Sequence, residues 1–448
     1  MSPFWGRVTF ITVALALLFG AHRYAWARFA RDVQFSRAWK VGAGIVIALL
    51  GLSIPTAVFL SRRSIGEGEL NLALVAYLWL GFLFYGVLWL WALDLGRLSA
   101  MLVSKLRANS VARTEEPSSV AQREQPVSVA RREQPAIDHE LPSNPDRRVF
   151  IARAIAGTAA VGSGAIVVGG YHAALGEITT PEIPVQLARL PRELSGYRIV
   201  QLTDLHLGPT LATRFLESVV EKANAQKPDL VAITGDLVDG HAATLGPALA
   251  PLAKLSARHG VVFVTGNHEY YSGAEEWVEF LRKRGIRVLM NERVEIGDTL
   301  VEVPAGGGDE IWRAATAIGS RRTPRASFDL AGIPDLHGGS YSPEHRPDLE
   351  RALAGRDASR ELVLLAHQPA QIAMAENCGV GLQISGHTHG GQMWPFGALV
   401  ALVQPYVAGF HRHPDGTQIY VSRGTGFWGP PMRVCNPAEV TSLVLVAS

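Results

Sequence analysis

The sequence predicts an α/β domain preceded by an all-α transmembrane region, and three observations predict it. Apolar residues make up 48% of the 448 and charged ones only 18%, against about 25% charged in an ordinary soluble domain, and the excess is gathered at the front of the chain. From Tyr197 onward, short apolar β-rich runs alternate with helical patterns. Five of those runs end in Asp, Asn or His.

Residues 41–60 form a run of 20 without a charge, and residues 70–93 a run of 24 in which only Asn71 is strongly polar. Each is long enough to cross about 30 Å of hydrocarbon. Residues 8–21 make a shorter span, with Trp5, Tyr24 and Trp26 at the interfaces and Arg7 and Arg23 reaching outward. A signal peptide is the weaker reading, because no small-residue cleavage site follows before Arg28. Residues 149–171, rich in Ala and Gly, read as a fourth span. Arg147 and Arg148 before it also resemble a twin-arginine signal anchor, although Asp146 precedes the pair and the usual following Lys is missing.

The expected division is a three-helix transmembrane region at 1–98, a linker at 99–148, a fourth transmembrane helix or signal anchor at 149–172, and a catalytic domain at 173–448. The linker carries a nine-residue repeat at 110–117, 119–126 and 128–135, polar and punctuated by proline. It is too short to bury a core, so a disordered tether is expected there rather than a solenoid. Orientation follows from the basic residues. Arg23, Arg28, Arg31, Arg37 and Lys40 crowd the first loop and nine Lys or Arg lie between 95 and 148, whereas Arg62 and Arg63 are offset by Glu67 and Glu69. Positive loops resist translocation. The first and third loops are expected inside, so that a multi-pass protein of the cell's inner membrane carries its soluble domain on the extracytoplasmic side.

Lys and Arg total 42 against 40 Asp and Glu, a net charge of +2, which excludes nucleic-acid binding through a general basic face. The two cysteines, Cys378 and Cys435, exclude both a disulfide framework and a Cys-rich zinc module, and read as buried thiols.

In the soluble part, strands are expected at 198–203, 230–234, 261–265, 362–366 and 382–385. The first runs into Asp204 and His206, the second into Gly235, Asp236 and Asp239, and the third into Gly266, Asn267, His268 and Glu269. The fourth meets His367 and the fifth Gly386, His387 and His389. Carboxyl ends of strands in open α/β sheets face the crevice where ligands sit, so these side chains can converge. Asp204 and His206, like His387 and His389, are two apart, and on an extended backbone both members of such a pair face one side. Gly235, Gly266 and Gly386 would allow the backbone to approach an ion closely. Mixed carboxylate, amide and imidazole donors suit Mn²⁺, Fe²⁺ or Zn²⁺ better than an all-oxygen Ca²⁺ site. One such residue alone is usually only hydrogen-bonded; five ordered blocks are a metal centre.

These blocks, D-x-H, G-D-x-x-D, G-N-H-E, a lone His and G-H-x-H, occur in order over about residues 195 to 392 and resemble the calcineurin-like metallophosphoesterase superfamily. The segment YVSRGTGFWGPPMR at 420–433 is similar to its membrane-associated, phosphodiesterase-like branch. The resemblance implies a four-layer-type α/β sandwich. It implies one ion on Asp204, His206, Asp236 and His389 and a second on Asp236, Asn267, His367 and His387, with Asp236 bridging. It also implies His268 as general acid, oriented by Asp239. Two divalent ions less two Asp charges leave +2, enough to acidify a bridging water for attack as hydroxide on phosphorus. Glu269 reads as a supporting carboxylate, and His241, His259, His337, His411 and His413 as surface or core histidines.

In the phosphoprotein phosphatase branch an Arg-Gly pair follows G-D-x-x-D; here Gly240 and His241 stand there, which removes a bidentate phosphate clamp. A residual +2, or +1 after hydroxide forms, matches a singly charged diester better than a monoester dianion. The expected function is therefore hydrolysis of a phosphodiester, with a monoester as the second choice, lipid-linked or envelope-associated, at the bilayer. One alternative is a UDP-2,3-diacylglucosamine pyrophosphatase of lipid A synthesis, whose cytoplasmic substrate conflicts with the topology. The other is a non-catalytic assembly or transport role, for which the first three spans offer no charged track. Residues 393–407, with Trp394, Phe396 and Tyr406, read as core strands and a packed loop in preference to a segment dipping into the outer leaflet.

Overall fold

The computed structural model describes residues 3–60, 67–114, 145–208, 211, 213–297 and 326–448. Four long helices open the chain: α1 (Pro3–Trp26), α2 (Arg37–Leu60), α3 (Glu67–Thr114) and α4 (Pro145–Leu175). Three stretches, Arg37–Phe59, Asn71–Leu106 and Asp146–Leu175, are long and apolar enough to cross a membrane. The 8–21 run is helical within α1. Helix α3 continues through residues 99–114, where the sequence places the start of a linker. The cause is visible in Met101, Leu102, Val103 and Leu106, which prolong the apolar helix-forming pattern past Arg97. Helix α4 starts at Pro145, with Asp146 in its first turn, a residue pair suited to a helix N-terminus. The rest of the expected tether, residues 115–144 with most of the repeat, lies outside the described residues.

The chain forms two compact units. In the one made of Phe10–Leu49 and Phe82–Ala165, Arg28 pairs with Asp94 at 2.7 Å and Tyr24 donates to the same carboxylate at 3.0 Å. Gly162 lets Trp89 lie against the helix backbone, since a Cβ there would meet the indole at 2.9 Å. Small residues permit such close helix approach in membranes.

The other unit holds Met1–Thr9, Leu50–Gly81 and Ile166–Ser448, and with them the whole α/β domain. Its strands are β1 (Glu182–Leu187), β2 (Tyr197–Leu202), β3 (Leu230–Ile233), β4 (Val261–Phe263), β5 (Arg287–Val288), β6 (Glu292–Gly297), β7 (Ser327–Gly332), β8 (Leu362–Leu365), β9 (Leu382–Ser385), β10 (Gly409–Arg412), β11 (Gln418–Val421) and β12 (Thr441–Ala447). They build two six-stranded sheets, ordered β1-β12-β2-β3-β4-β5 and β10-β11-β9-β8-β7-β6. Strands β2 to β5 run parallel, as do β7, β8, β9 and β11.

Alternation along the strands explains the layering. Ile199, Leu230, Ala232 and Val262 join Phe328, Leu330, Val363 and Leu382 in one core between the sheets. Their neighbours Val200, Val231, Ile233 and Phe263 instead meet Leu216, Val219 and Trp277 from the helices Thr213–Ala225 and Ala274–Lys283. On the far side Leu362 and Leu364 pack with Leu349, Ala352 and Ala375. Helices, sheet, sheet and helices give the four layers expected, and strands buried on both faces read as unbroken apolar runs for that reason.

Two expectations are corrected. Residues 393–407 contain no strand: Met393 makes an isolated bridge to Val434, a short helix Gly397–Val400 follows, and Leu399, Leu402 and Val403 are exposed. Pro395, Gly397 and Pro405 deny that run a strand's hydrogen-bond ladder. The cysteines are free, but Cys435 is exposed and Cys378 only partly buried.

Candidate metal centre

Every strand expected to deliver a site residue ends at the same place. Asp204 and His206 follow β2, Asp236 follows β3, Asn267 and His268 open the short helix Asn267–Tyr271 after β4, His367 follows β8, and His387 and His389 follow β9. The extended pairing expected for Asp204 with His206 and for His387 with His389 does not occur. These four residues and Asp236 all have left-handed backbones, with φ between 47° and 71°. Such conformations are costly outside glycine and persist where the surroundings enforce them. Here the Asp204 amide donates to Gly235 O at 3.1 Å and the His206 amide to Asp236 O at 3.1 Å, tying the two loops together.

Close approach does the rest. A Cβ on Gly266 would collide with the Asp236 amide and carboxylate, and one on Gly386 with Thr203 Oγ1 and the Asp204 carboxylate. Glu269 locks the floor: its carboxylate accepts from the amides of Asp236 (3.0 Å), Leu237 (2.7 Å) and Gly266 (2.6 Å). This is the supporting role expected for it. Burial and the nearby Asp236 raise its pKa to about 7, against the amides of Gly266 and Leu237 and the charge on His367, which lower it.

The side chains gather in three groups, one of them His206, Asp239 and His268. Asp204, His206 and His389 bring ligand-type atoms within 4.8 Å of one another, as do Asp236, His367 and His387. His206 Nε2 lies 3.0 Å from His389 Nε2, and His389 Nε2 is 3.4 Å from Asp204 Oδ1. Asp236 links the group of Asp204 to its own, with Oδ2 3.2 Å from His367 Nε2 and 3.8 Å from His206 Nε2. Its Oδ1 accepts from the His268 amide at 2.8 Å.

Donors without hydrogen-bond partners test whether these residues suit cations. His367 Nε2 and Asn267 Oδ1 are buried without a hydrogen bond, a costly state that a bound ion would relieve. His367 is aimed by Nδ1 donating to Thr234 O at 2.8 Å, which leaves Nε2 free to coordinate. The electrostatics agree. Burial disfavours the Asp236 charge, yet His367, His268 and His206 hold its pKa well below the usual carboxylate range. Burial opposes a charged His367 ring, yet Asp236 and Asp204 hold its pKa up at about 10. His387 is pushed down to about 3, by burial and by the charge on His367. The carboxylates therefore demand positive charge at the centre, and the neutral His387 keeps a lone pair to offer it.

His268 belongs to the group with His206 and Asp239 and is paired by that aspartate. Its Nδ1 is 2.5 Å from Asp239 Oδ1, and Asp239 also lies 3.2 Å from His206 Nδ1. Burial works against the charged ring, but Asp239 and Asp236 hold its pKa at about 9.

Eight of the nine residues read from the sequence are thus joined in one cluster, and the ninth, Asn267, adjoins it as the neighbour of His268. Sequence reasoning missed two parts of the wall beside this cluster. Tyr271 and Trp428, both about half exposed, place their rings 5.1 and 6.4 Å from that of His268. The C-terminal loop closes over Asp204 through Thr425 N to Thr203 O and Gly426 N to Asp204 O, both 2.9 Å. Arg433 props that loop, with its buried guanidinium donating to the carbonyls of Arg423, Gly424, Gly426 and Asn436. The only signal for this wall was the segment 420–433. Three of the other histidines have partners of their own: His259 bonds Tyr197 at 2.8 Å, His411 the Ala408 carbonyl at 2.8 Å, and His413 Tyr406 at 2.9 Å; His337 lies near enough to His387 to help lower its pKa.

Comparison with known proteins finds that the calcineurin-like phosphoesterase family matches residues 197–391. An uncharacterized metallophosphoesterase of Helicobacter pylori J99 is 36% identical over 278 residues, which cover 62% of this chain and 66% of that protein. A transmembrane protein with metallophosphoesterase domain from Bos taurus is 38% identical over 275 residues, 60% of this chain and 57% of that one. An uncharacterized metallophosphoesterase of Aquifex aeolicus is 31% identical over 283 residues, 63% of this chain and 97% of that one. The match thus spans under two thirds of the Helicobacter and Bos proteins.

Proposed function

The chain belongs to the calcineurin-like metallophosphoesterase family, and from that premise we propose that it is a membrane-anchored phosphoester hydrolase that holds two divalent ions, Mn²⁺, Fe²⁺ or Zn²⁺. One observation carries the reading: Asp236 belongs to a group of ligand-type side chains with His367 and His387, and its carboxylate also faces His206 of the group with Asp204 and His389. In this reading Asp204, His206, Asp236 and His389 hold one ion and Asp236, Asn267, His367 and His387 the other. When bound, the ions would supply Lewis acidity for a phosphoryl oxygen and lower the pKa of a nucleophilic water.

The remaining work falls to the protein. His268, kept protonated by Asp239, gives its proton to the departing oxygen. Glu269 and Gly266 fix the Asp236 loop, so the ligands need no rearrangement during turnover. Tyr271 and Trp428 present aromatic faces at the mouth, where an apolar part of a substrate can lie. A phosphodiester is the preferred substrate class. Among the described residues no arginine fork stands after Asp239, and Arg433 is fully engaged with backbone carbonyls.

Three apolar helices and a relative described as a transmembrane protein support membrane association. The basic loops favour a four-span arrangement with the catalytic domain outside the inner membrane. Detergent-solubilised full-length protein should hydrolyse a chromogenic bis-phosphodiester with Mn²⁺, and Asp236→Asn should abolish it. Retained activity in that variant would remove Asp236 from its bridging role. An alkaline phosphatase reporter after Ser448 should be active, and a fluorescent reporter that matures only in the cytosol should stay dark.

A further inference from the structure

We infer that the loop at 393–410 inserts into the lipid bilayer beside the metal centre, so that the domain is seated on the membrane surface as well as tethered to it. The inference uses the membrane placement of α3 and α4 and does not depend on catalysis. No Asp, Glu, Lys, Arg or His occurs between Met393 and Phe410. At the tip of the loop, Leu399, Leu402 and Val403 are 56%, 79% and 75% exposed, a degree of exposure that apolar side chains clustered in water seldom show.

The tip is held rather than loose. Gln404 N donates to Val400 O at 2.9 Å and Leu402 N to Leu399 O at 3.1 Å. The polar side chain of the tip, Gln404, turns inward, accepting from Ala370 N at 3.0 Å and donating to Gln368 at 3.3 Å. Thr388 Oγ1 donates to Val407 O at 2.6 Å, anchoring the returning arm between His387 and His389. Polar groups thus point to the base and apolar ones away from it, the pattern of an interfacial anchor.

The root of the loop says what covers it. Met393 bridges Val434, and Trp394 N donates to Val434 O at 3.1 Å. Two residues earlier, Met432 is fully buried against Gly81 of α3 and Gly170 of α4, and Arg433 N donates to Gly170 O at 2.9 Å. Both glycines lie within stretches apolar enough to cross a membrane. Gly170 stands five residues before the end of α4 at Leu175, about 8 Å at 1.5 Å per residue. The root of the loop therefore meets α4 near the end of that helix, and the exposed tip it carries is apolar like the helices. Gln392, at the same root, exchanges hydrogen bonds with the Trp428 backbone at 2.9 Å, so the mouth of the site lies beside the inserted element.

The test uses the full chain with Cys378→Ser and Cys435→Ser, carrying Leu402→Cys labelled with an environment-sensitive fluorophore. It is reconstituted into vesicles of phosphatidylethanolamine and phosphatidylglycerol. Glu279→Cys, an exposed position on the helix Ala274–Lys283, serves as the aqueous control. Nitroxide on lipid acyl chains should quench the 402 probe roughly threefold or more while iodide in the buffer leaves it bright, and the 279 probe should behave the opposite way. Iodide quenching at 402 equal to that at 279 overturns the inference. So does resistance to both quenchers, which means that protein, a second copy included, covers the tip. If Leu402→Cys fails to accumulate, Val403→Cys gives the same reading.

Discussion

Replacing Asp239 by Asn keeps the size of the side chain and removes the charge nearest the His268 ring. Burial alone drives an imidazole toward its neutral form; Asp239 and then Asp236 reverse this and hold His268 at about 9 rather than 6.5. That difference corresponds to roughly 3 kcal/mol in favour of the protonated ring, at about 1.4 kcal/mol per pH unit. The His268 side chain is only 15% exposed, so solvent screens little of it. A general acid works while protonated, and its rate falls as pH rises through its pKa, so the alkaline limb of the pH profile must move to lower pH in Asp239→Asn. If His268 returns to an ordinary value, then one pH unit below the wild-type limb its protonated fraction drops from about 90% to about 3%, a loss on the order of 30-fold. Bound cations lower the pKa in both forms, so the displacement of the limb is the reading rather than its absolute position. The assay compares two diesters under Mn²⁺, one with an alkyl leaving group that needs a proton and one releasing nitrophenolate, which does not. Because Asp239 also faces His206, metal content is measured in parallel. Equal losses on both diesters with an unmoved limb would refute the assignment of His268 as acid.

Three further outcomes follow from the same geometry. Asp236→Asn should lower kcat/KM on a chromogenic diester by more than about 100-fold, beyond what loss of an outer partner of a metal ligand costs; a smaller effect places the ions elsewhere. Glu269→Ala strands the buried amides of Asp236, Leu237 and Gly266, and at about 1 to 3 kcal/mol per unsatisfied donor it should destabilise the domain by about 3 kcal/mol or more, read as a fall in Tm in detergent; an unchanged Tm contradicts it. Gly266→Ala changes no ligand but drives a methyl into the Asp236 carboxylate. Elemental analysis should show bound metal falling well below the wild-type ratio, and unchanged occupancy would show that the loop can yield.

The strands around the site were legible because both sheets are covered on both faces. Leu230–Ile233 and Leu362–Leu365 are buried throughout, so their sequences carry unbroken apolar runs that stop at the candidate site residues. The candidate ligands were legible as a set, since Asp, Asn and His directly after five such runs point to one site, whereas any one of them alone would have read as an ordinary hydrogen-bonding residue. Their geometry was not. Left-handed φ at Asp204, His206, His387 and His389 depends on hydrogen bonds to loops 30 or more residues away, and local spacing cannot encode these. The loop at 393–410 misled for a related reason. Apolar composition signals burial in protein and burial in lipid alike, and only the root at Val434 and its neighbours on Gly81 and Gly170 separates the two. Tyr271 and Trp428 left no periodic mark, being placed at the mouth by a short helix and by a loop held on Arg433.

The central claim is that one aspartate joins two cations in this crevice, and metal stoichiometry tests it most directly. The purified full-length chain, loaded with Mn²⁺ and freed of excess, should carry two equivalents by elemental analysis, and Asp236→Asn should carry one or none. A wild-type chain that retains no transition ion after loading, or a variant that still holds two, contradicts the account.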